Sequence, residues 1–342
     1  MATINAAVPG TVLFLLAALT FLLILHTVMR SGLSRLLMDT PNERSLHEQP
    51  VPRIGGLAIM TTVLGFFVVG RSLFAFPVDL ALWIILAGAA ILTILGLVDD
   101  RLGLRAWTKG LVHLVCAGII VPIIVLAPDA TNAAPLPSSV LWLAAFVVIL
   151  CWSANLYNFM DGSDGLAGMQ TIVGFGALAL LAAPPSIGLV NGFQAPLFLA
   201  LSISGAAAGF VLLNWSPARV FLGDAGSVPL GLLAGSLGLY GVKHGIWPAW
   251  HVIAVFLPFI VDATLTLLGR IATGHQPWQA HRSHAYQRLI LKGLTHQQVA
   301  FLYGLIAFGA ALVAGTTRYQ NGFVCFALWT AIILSLIHIS EP

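Results

Sequence analysis

The chain has very little charge. Of its 342 residues only 8% are Asp, Glu, Lys or Arg, whereas 59% are hydrophobic. A soluble domain carries about 25% charged residues, so this composition excludes an ordinary soluble protein and favours a membrane protein. The small formal net charge of +3 gives no reason to expect a nucleic-acid partner.

Cysteines and nucleotide-binding signatures are also scarce. The three cysteines, Cys116, Cys151 and Cys325, lie in apolar runs and form neither a disulfide framework nor a metal-ligand pattern. No GxxxxGK[ST] sequence occurs, so a P-loop NTPase is unsupported. A zinc site at His281 and His284 is not favoured, because no Cys or Glu accompanies them at ligand spacing.

The chain is rich in apolar runs long enough to cross a bilayer, which takes roughly 17–25 residues. We therefore expect an all-α, polytopic membrane protein with about eleven transmembrane helices in a single domain over residues 1–333. Residues 334–342, "LSLIHISEP" with its first Leu at 334, are expected to be a non-native tail. The expected spans are about 9–29, 54–70, 80–98, 110–127, 138–156, 165–183, 195–213, 227–242, 250–268, 299–315 and 323–337.

Basic residues are unevenly distributed between the loops. Cytoplasmic loops of membrane proteins collect Lys and Arg. With the N-terminus outside, the outer loops hold only Arg71, Lys243 and Arg318. The inner loops then hold Arg30, Arg35, Arg44, Arg53, Arg101, Arg105, Lys109, Arg219, Arg270, Arg282, Arg288 and Lys292. This split predicts an outside N-terminus.

Five polar segments fall on the inner side of this topology. They are "DTPNERSLHEQPVPRIGG" (39–56), "VDD" (98–100), "NFMDGSDG" (158–165), "NWSPARVFLGDAGS" (214–227) and "HRSHAYQRL" (281–289). Alone, each has a structural explanation as a helix cap, a turn or a basic interfacial loop. Their coincidence on one face favours an active site at the cytoplasmic surface.

Asp262 stands apart from these segments, inside the apolar run "PFIVDATLTLLGR". A carboxylate within the membrane is a functional candidate by default. The structural alternative is a pairing with Arg270, eight residues further on and near the same helix face.

The mixture of residue types in the five segments indicates phosphate chemistry. Carboxylates beside Arg and His in a glycine-rich frame suit a hard cation that holds phosphates. Mg²⁺ takes one or two protein carboxylates and completes its shell with water and phosphate oxygens. Glycines let backbone N–H groups approach phosphate, and helix N-termini add a favourable dipole.

These motifs resemble those of the polyprenyl-phosphate N-acetylhexosamine-1-phosphate transferases (glycosyltransferase family 4). The resemblance runs from about Asp39 to Leu289 and rests chiefly on "NFMDGSDGLAG" and "VFLGDAGS". "DTPNERSLHEQPVPRIGG" and "AHRSHAYQRL" are most similar to the branch that initiates O-antigen synthesis. Two alternative functions within the family are those of a phospho-MurNAc-pentapeptide translocase and of a transferase that initiates teichoic-acid synthesis.

The resemblance implies transfer of an N-acetylamino-sugar 1-phosphate from a UDP-sugar to undecaprenyl phosphate, with release of UMP. It implies Mg²⁺ as the cofactor, with Mn²⁺ as an alternative, and the bacterial inner membrane as the location. Membrane lipids are the other expected partners, and a homodimer is left open. A phosphate monoester has a second pKa near 6, so the acceptor is already mostly a dianion at neutral pH.

The resemblance also assigns roles to residues. It implies catalytic roles for Asp99, Asp100 and His281, and metal binding by Asp224 with Asp161. The residues for which it implies substrate binding are Arg53, Lys109, Asn158, Asp161, Asp164, Asn214, Phe221, Arg282 and His284.

Two other classes of protein remain as alternatives. A secondary transporter would carry its binding residues near mid-membrane on broken helices, often in paired halves. Here the polar segments lie at one face, and no second half mirrors the first. A lipid-binding scaffold without catalytic activity would not need several acidic segments facing an anionic substrate.

Overall fold

The computed structural model describes residues 9–39, 50–128, 136–182, 195–276 and 282–316. Within them the chain forms twelve helices and one pair of two-residue strands. The helices are α1 (Gly10–Arg30), α2 (Leu33–Leu36), α3 (Gly55–Phe74), α4 (Leu80–Leu102), α5 (Ala106–Val125), α6 (Val140–Phe159), α7 (Leu166–Ala182), α8 (Ala195–Asn214), α9 (Asp224–Lys243), α10 (Ala249–Ala272), α11 (Ala285–Leu291) and α12 (His296–Thr316).

The prediction of an all-α, multi-pass membrane protein is confirmed. Among the described residues, nine helices are long and apolar enough to cross a bilayer, and α7 is a shorter apolar helix of 17 residues. These ten helices match ten of the eleven expected spans to within a few residues. The expected span 323–337 and the tail 334–342 lie outside the described residues.

The helices differ in how much of their surface faces outward. In α9, 83% of the residues in its most apolar stretch are buried, against 22% in α1 and in α6. On α6, Val140, Leu141 and Val148 are each more than half exposed. Such side chains suit contact with lipid tails, so we place α9 at the centre of the bundle and α1 and α6 at its perimeter.

Small residues let neighbouring helices pack closely on the start of α9. A Cβ atom added at Gly56 of α3 would collide with the backbone of Gly226, and one added at Gly96 of α4 would collide with the backbone of Ala225. Close backbone approach at small residues is typical of helix packing in membranes. It brings the C-terminal end of α4, with Asp99 and Asp100, against the N-terminal end of α9, with Asp224.

A short hairpin completes this end of the bundle. Strands β1 (Met38–Asp39) and β2 (Val51–Pro52) pair antiparallel, with Asp39 opposite Val51. The chain then hydrogen-bonds to the segment before α9, because the Phe221 nitrogen donates to the Pro52 oxygen at 2.9 Å and the Gly55 nitrogen donates to the Phe221 oxygen at 2.9 Å. These bonds hold Arg53 beside the start of α9.

Candidate active site

A cavity of about 340 Å³ opens at the end of the bundle where α4, α6 and α8 finish and α9 and α12 begin. It collects residues from segments that are far apart in sequence. The lining residues are Asp39, Arg53, Asp100, Asn158, Phe159, Asp161, Gly162, Ser163, Asp164, Asn214, Phe221, Gly223, Asp224, Tyr286, Gln287 and His296.

Most of the site residues expected from the sequence are brought together here. Asp99 and Lys109 do not line the cavity, but Lys109 contacts Asp224, which does, and Asp99 contacts Lys109. The expected residues on its wall are Arg53, Asp100, Asn158, Asp161, Asp164, Asn214, Phe221 and Asp224. Alternating helix direction explains this result, since the end of one helix and the start of the next lie at the same face of the bundle.

Asp100 and Arg53 form one part of the charged wall. The Asp100 carboxylate accepts hydrogen bonds from the backbone nitrogens of Asp224 and Ala225, both at 3.3 Å, at the N-terminus of α9. The Arg53 guanidinium lies 2.8 Å from an Asp39 oxygen and 3.5 Å from an Asp100 oxygen. Burial lowers the pKa of Arg53, but the hydrogen bond and the charge of Asp39, helped by Asp100 and Asp224, outweigh burial and raise it. Arg53 is therefore a permanent cation.

Lys109 forms the other cationic part, from the first turn of α5. Its ammonium lies 2.6 Å from an Asp99 oxygen and 3.4 Å from an Asp224 oxygen. Asp99 also accepts a hydrogen bond from the Leu104 nitrogen at 2.6 Å, and only 8% of its side chain is exposed. Asp99 is thus held in place behind Lys109, whereas 24% of the Asp224 side chain remains exposed.

Asp161 lies on this wall together with Asp100 and Asp224. Burial, followed by the negative charges of Asp224 and Asp100, raises the pKa of Asp161 well above its usual range. A divalent cation in the cavity would relieve this repulsion. Among the described residues, no three His, Cys, Asp or Glu side chains are gathered as a complete ligand set. Mg²⁺ needs only one or two protein carboxylates, so the donor set fits an ion whose other ligands are water and phosphate.

A second part of the cavity wall is polar and holds one carboxylate, that of Asp164. The Asn214 amide links two loops, because its oxygen accepts from the Gly165 nitrogen and its nitrogen donates to the Val220 oxygen, both at 2.8 Å. Asp164 accepts from the Ala218 nitrogen at 3.1 Å. His296 meets the same loop, where its Nδ1 lies 3.3 Å from the Asp164 nitrogen.

The histidine-containing segment is only partly described. His281 lies outside the described residues, and Arg282 is half-buried and does not line the cavity. His284 is buried, and its Nδ1 lies 3.4 Å from an Asp262 oxygen. The structure places His284 behind the cavity wall. The cavity is reached by Tyr286 and Gln287 of α11 instead.

The expected structural pairing of Asp262 with Arg270 is wrong. The Asp262 carboxylate accepts from the backbone nitrogens of Ala285 at 2.8 Å and Tyr286 at 3.1 Å, and from the Tyr303 hydroxyl at 2.6 Å. It therefore caps the N-terminus of α11 from a different helix. Spacing along α10 could not show this, because every one of these donors comes from later in the chain.

Sequence reasoning did not select several lining residues. Asp39, Tyr286 and Gln287 stood inside the quoted polar segments, so proximity to a motif was their only signal. His296 had no such signal, because it follows a short loop at the start of an apolar helix.

Comparison with known proteins adds independent information. The profile of the family described as glycosyl transferase family 4 matches residues 82–242. A decaprenyl-phosphate N-acetylglucosaminephosphotransferase of Mycolicibacterium smegmatis is 30% identical over 87% of this chain and 79% of its own length. A Bacillus subtilis protein named "Probable undecaprenyl-phosphate N-acetylglucosaminyl 1-phosphate transferase" is 29% identical over 93% of this chain and 88% of its own length.

A third relative comes from Salmonella typhi. This undecaprenyl-phosphate alpha-N-acetylglucosaminyl 1-phosphate transferase is 28% identical over 88% of this chain and 81% of its own length. The alignments span nearly the whole helical bundle, and the family match includes α4 to α9, whose ends build the charged wall. The chain belongs to glycosyl transferase family 4, the polyprenyl-phosphate hexosamine-1-phosphate transferases.

Proposed function

We propose that this protein transfers an N-acetylamino-sugar 1-phosphate from a UDP-sugar to undecaprenyl phosphate and releases UMP. The observation that carries the proposal is the group of Asp100, Asp161 and Asp224 around one cavity at the end of an apolar bundle. Family membership supports the reaction class, and the relatives' names supply the polyprenyl phosphate acceptor. The reaction would initiate O-antigen or related cell-envelope polysaccharide synthesis.

The proposed cofactor is Mg²⁺, held by Asp224 with Asp161, and Mn²⁺ is the alternative ion. The clustering of Asp161 with Asp100 and Asp224 on one cavity supports a cation there. When bound, the ion would neutralise charge on the diphosphate oxygens.

Arg53 and Lys109 would bind the phosphates from two sides. Phosphoryl transfer asks little covalent chemistry of a protein, so positioning and charge neutralisation dominate. Arg53 is oriented by Asp39 and Asp100, and Lys109 by Asp99. Both side chains are about one-third exposed, which leaves them accessible to a ligand in the cavity.

The acceptor phosphate attacks the phosphorus that carries the sugar. A new P–O bond forms there as the bond to the bridging oxygen breaks, and the electron pair leaves with UMP. Because a phosphate monoester has a second pKa near 6, the acceptor needs no protein base at neutral pH. Asp99 then acts by orienting Lys109, which explains why it accepts two hydrogen bonds behind the cavity wall.

The remaining assignments concern the membrane. We propose the bacterial inner membrane, with the N-terminus outside and the cavity facing the cytoplasm where nucleotide sugars are made. The Lys and Arg asymmetry supports this orientation. Single-cysteine labelling with an impermeant reagent, after removal of the native cysteines, tests it at Ser163 and Ser283. Protection in intact cells is expected, and strong labelling would show the opposite orientation.

The reaction is tested by incubating the purified protein with undecaprenyl phosphate, Mg²⁺ and a panel of UDP-sugars, and measuring UMP release. The panel includes UDP-N-acetylglucosamine, other UDP-N-acetylamino sugars and UDP-MurNAc-pentapeptide. Use of UDP-MurNAc-pentapeptide would indicate a translocase, whereas use of the other donors would indicate initiation of O-antigen or teichoic-acid synthesis. UMP release that requires both the lipid and a UDP-sugar is expected. Failure of every donor to give lipid-dependent UMP would refute the proposal.

A further inference from the structure

His296 is the most informative lining residue that the sequence reasoning left out. It is the first residue of α12, which otherwise packs on α7 and α10. Its side chain lines the cavity beside Ser163, Asp164 and Asn214, on the second part of the wall. No metal or proton-transfer role has been assigned to this part.

The hydrogen bonds of the ring fix its tautomer. Nδ1 lies 3.3 Å from the Asp164 backbone nitrogen and 3.0 Å from the Ser163 hydroxyl oxygen. A backbone N–H can only donate, so Nδ1 is the acceptor and the neutral ring carries its proton on Nε2. Since both bonds use Nδ1, Nε2–H is the group that the ring offers to a ligand.

The start of α12 is held firmly enough to keep this ring in place. Thr295 and Gln298 form reciprocal side-chain to backbone hydrogen bonds at 2.9 and 3.2 Å, the arrangement of a capping box. The Gln297 side chain donates to the Ser216 oxygen at 2.7 Å. Two loops and a helix terminus are thus tied together around the ring, which preorganises Nε2–H before a ligand arrives.

The two parts of the wall suit different parts of a nucleotide sugar. Arg53, Lys109 and the carboxylates suit a diphosphate and its cation, as proposed above. Near His296 the wall offers the Ser163 hydroxyl, and Phe221 lines the same cavity; a hydroxyl and an aromatic residue suit neutral rings with oxygen acceptors. A donor held in place before the ligand arrives favours ligands that carry an acceptor oxygen at that position.

We propose that His296 is a donor-binding residue whose Nε2–H donates a hydrogen bond to a neutral oxygen of the nucleotide sugar. The inference rests on the proposed function, since it takes a UDP-sugar as the ligand of the cavity. The oxygen belongs either to the uridine part or to the N-acetylamino sugar. Both are neutral acceptors, and the experiment below separates them.

Two substitutions separate the hydrogen bonds that anchor the His296 ring through Nδ1 from the hydrogen bond that Nε2–H is proposed to donate to the ligand. His296→Asn keeps an acceptor near the position of Nδ1, so it can still bind the Asp164 nitrogen, but it has nothing at the position of Nε2. His296→Gln places an N–H near the position of Nε2 and loses the anchor. Gln297→Ala is the matched control, because it removes an anchoring bond of α12 from a side chain that does not line the cavity.

The readouts are direct binding of UMP and of UDP-N-acetylglucosamine by calorimetry, KM and kcat for UMP release, and the melting temperature. We expect His296→Asn to weaken UDP-N-acetylglucosamine binding about tenfold, the usual effect of one hydrogen bond, with an unchanged melting temperature. The KM for the nucleotide sugar should rise with it, while kcat changes little. His296→Gln should keep affinity within about threefold and lower the melting temperature.

The pattern across ligands locates the contacted oxygen. An equal loss for UMP and UDP-N-acetylglucosamine assigns it to the uridine part, and a loss for UDP-N-acetylglucosamine alone assigns it to the sugar. Wild-type affinity in His296→Asn would overturn the proposal. So would an equal loss in His296→Asn, His296→Gln and Gln297→Ala, since that would show a purely structural role.

Failure of the proposed function gives a different result. The binding measurements need neither the lipid nor turnover, so they remain decisive if no UDP-sugar yields lipid-dependent UMP. A wild-type protein that binds neither UMP nor any UDP-sugar would overturn the inference about His296 together with the function on which it rests.

Discussion

Asp262 and the carboxylates of the cavity are both enclosed in the bundle, but their surroundings are opposite. The Asp262 carboxylate is 1% exposed and is surrounded by donors from α10, α11 and α12, including two backbone nitrogens and the Tyr303 hydroxyl. At the cavity wall and directly behind it, Arg53 and Lys109 are paired with four carboxylates, and Asp161 adds a fifth acidic group. One site is saturated by the protein's own donors, and the other holds more acidic than basic side chains.

This difference separates structural from functional carboxylates better than burial does. A buried charge is tolerated when hydrogen bonds and opposite charges compensate its lost hydration. Asp262 meets this condition in full, and its donors connect three helices. A cluster of acids that repel one another is costly for the fold alone, so such a cluster indicates a function.

The largest effect is expected for Asp224→Asn. The substitution keeps the size of the side chain but removes the charge that would attract the cation. UMP release should fall at least about 100-fold, as is usual when a group that stabilises transition-state charge is lost. The melting temperature should stay unchanged or rise, because repulsion with Asp161 is relieved.

Asp79→Asn is the matched control for that experiment. Asp79 caps α4 at the opposite end of the helix from Asp99, where its side chain accepts from the Leu82 nitrogen at 3.0 Å. Its activity should stay within about twofold of wild type, because asparagine is also a good helix cap and Asp79 does not line the cavity. An equal loss of activity in Asp224→Asn and Asp79→Asn would show that the effect is not specific to the cavity end of the bundle.

Asp262→Asn should mainly lower stability. Asparagine retains one acceptor oxygen and brings an NH₂ group against donors such as the Tyr286 nitrogen and the Tyr303 hydroxyl. Leaving buried donors unpaired should reduce the free energy of unfolding by about 2 kcal/mol. Thermal unfolding in detergent measures this loss, and kcat of the folded fraction measures function. A normal melting temperature with abolished turnover would place Asp262 in the active site.

A smaller effect is expected for Arg53→Lys. The guanidinium reaches Asp39 and Asp100 with two different nitrogens, at 2.8 and 3.5 Å, and a single ammonium cannot reproduce this geometry. The positive charge is kept, so KM for the UDP-sugar should rise only about fivefold with kcat nearly unchanged. Steady-state kinetics at fixed lipid concentration provide the check. A large loss of kcat instead would mean that Arg53 acts mainly on the transition state.

The sequence predicted the helices and the shared location of the polar segments for one physical reason. Apolar runs fix the length and direction of each span, and alternating direction then sends "VDD", "NFMDGSDG" and "GDAGS" to the same end of the bundle. The alternating direction of the spans therefore brings Asp100, Asp161 and Asp224 to one cavity. Small residues such as Gly56 and Gly96 allow the helices to pack closely there.

Contacts made across the bundle could not be predicted in the same way. Helical spacing indicates a pairing of Asp262 with Arg270, but the donors to Asp262 come from segments 23 to 41 residues later. Asp39 reaches Arg53 through a two-residue strand pair that has no periodic signal. His296 enters the cavity because of where α12 begins, which depends on how α11 and the following loop pack.

The most direct test of the central claim is the dependence of UDP binding on Mg²⁺, measured by calorimetry in the absence of lipid. If the carboxylates around Asp224 require a cation, wild-type protein should bind UDP much more tightly with Mg²⁺ than without it. Asp224→Asn should lose most of that dependence, whereas Asp262→Asn should keep it. Equal dependence on Mg²⁺ in the wild type and Asp224→Asn would contradict the account.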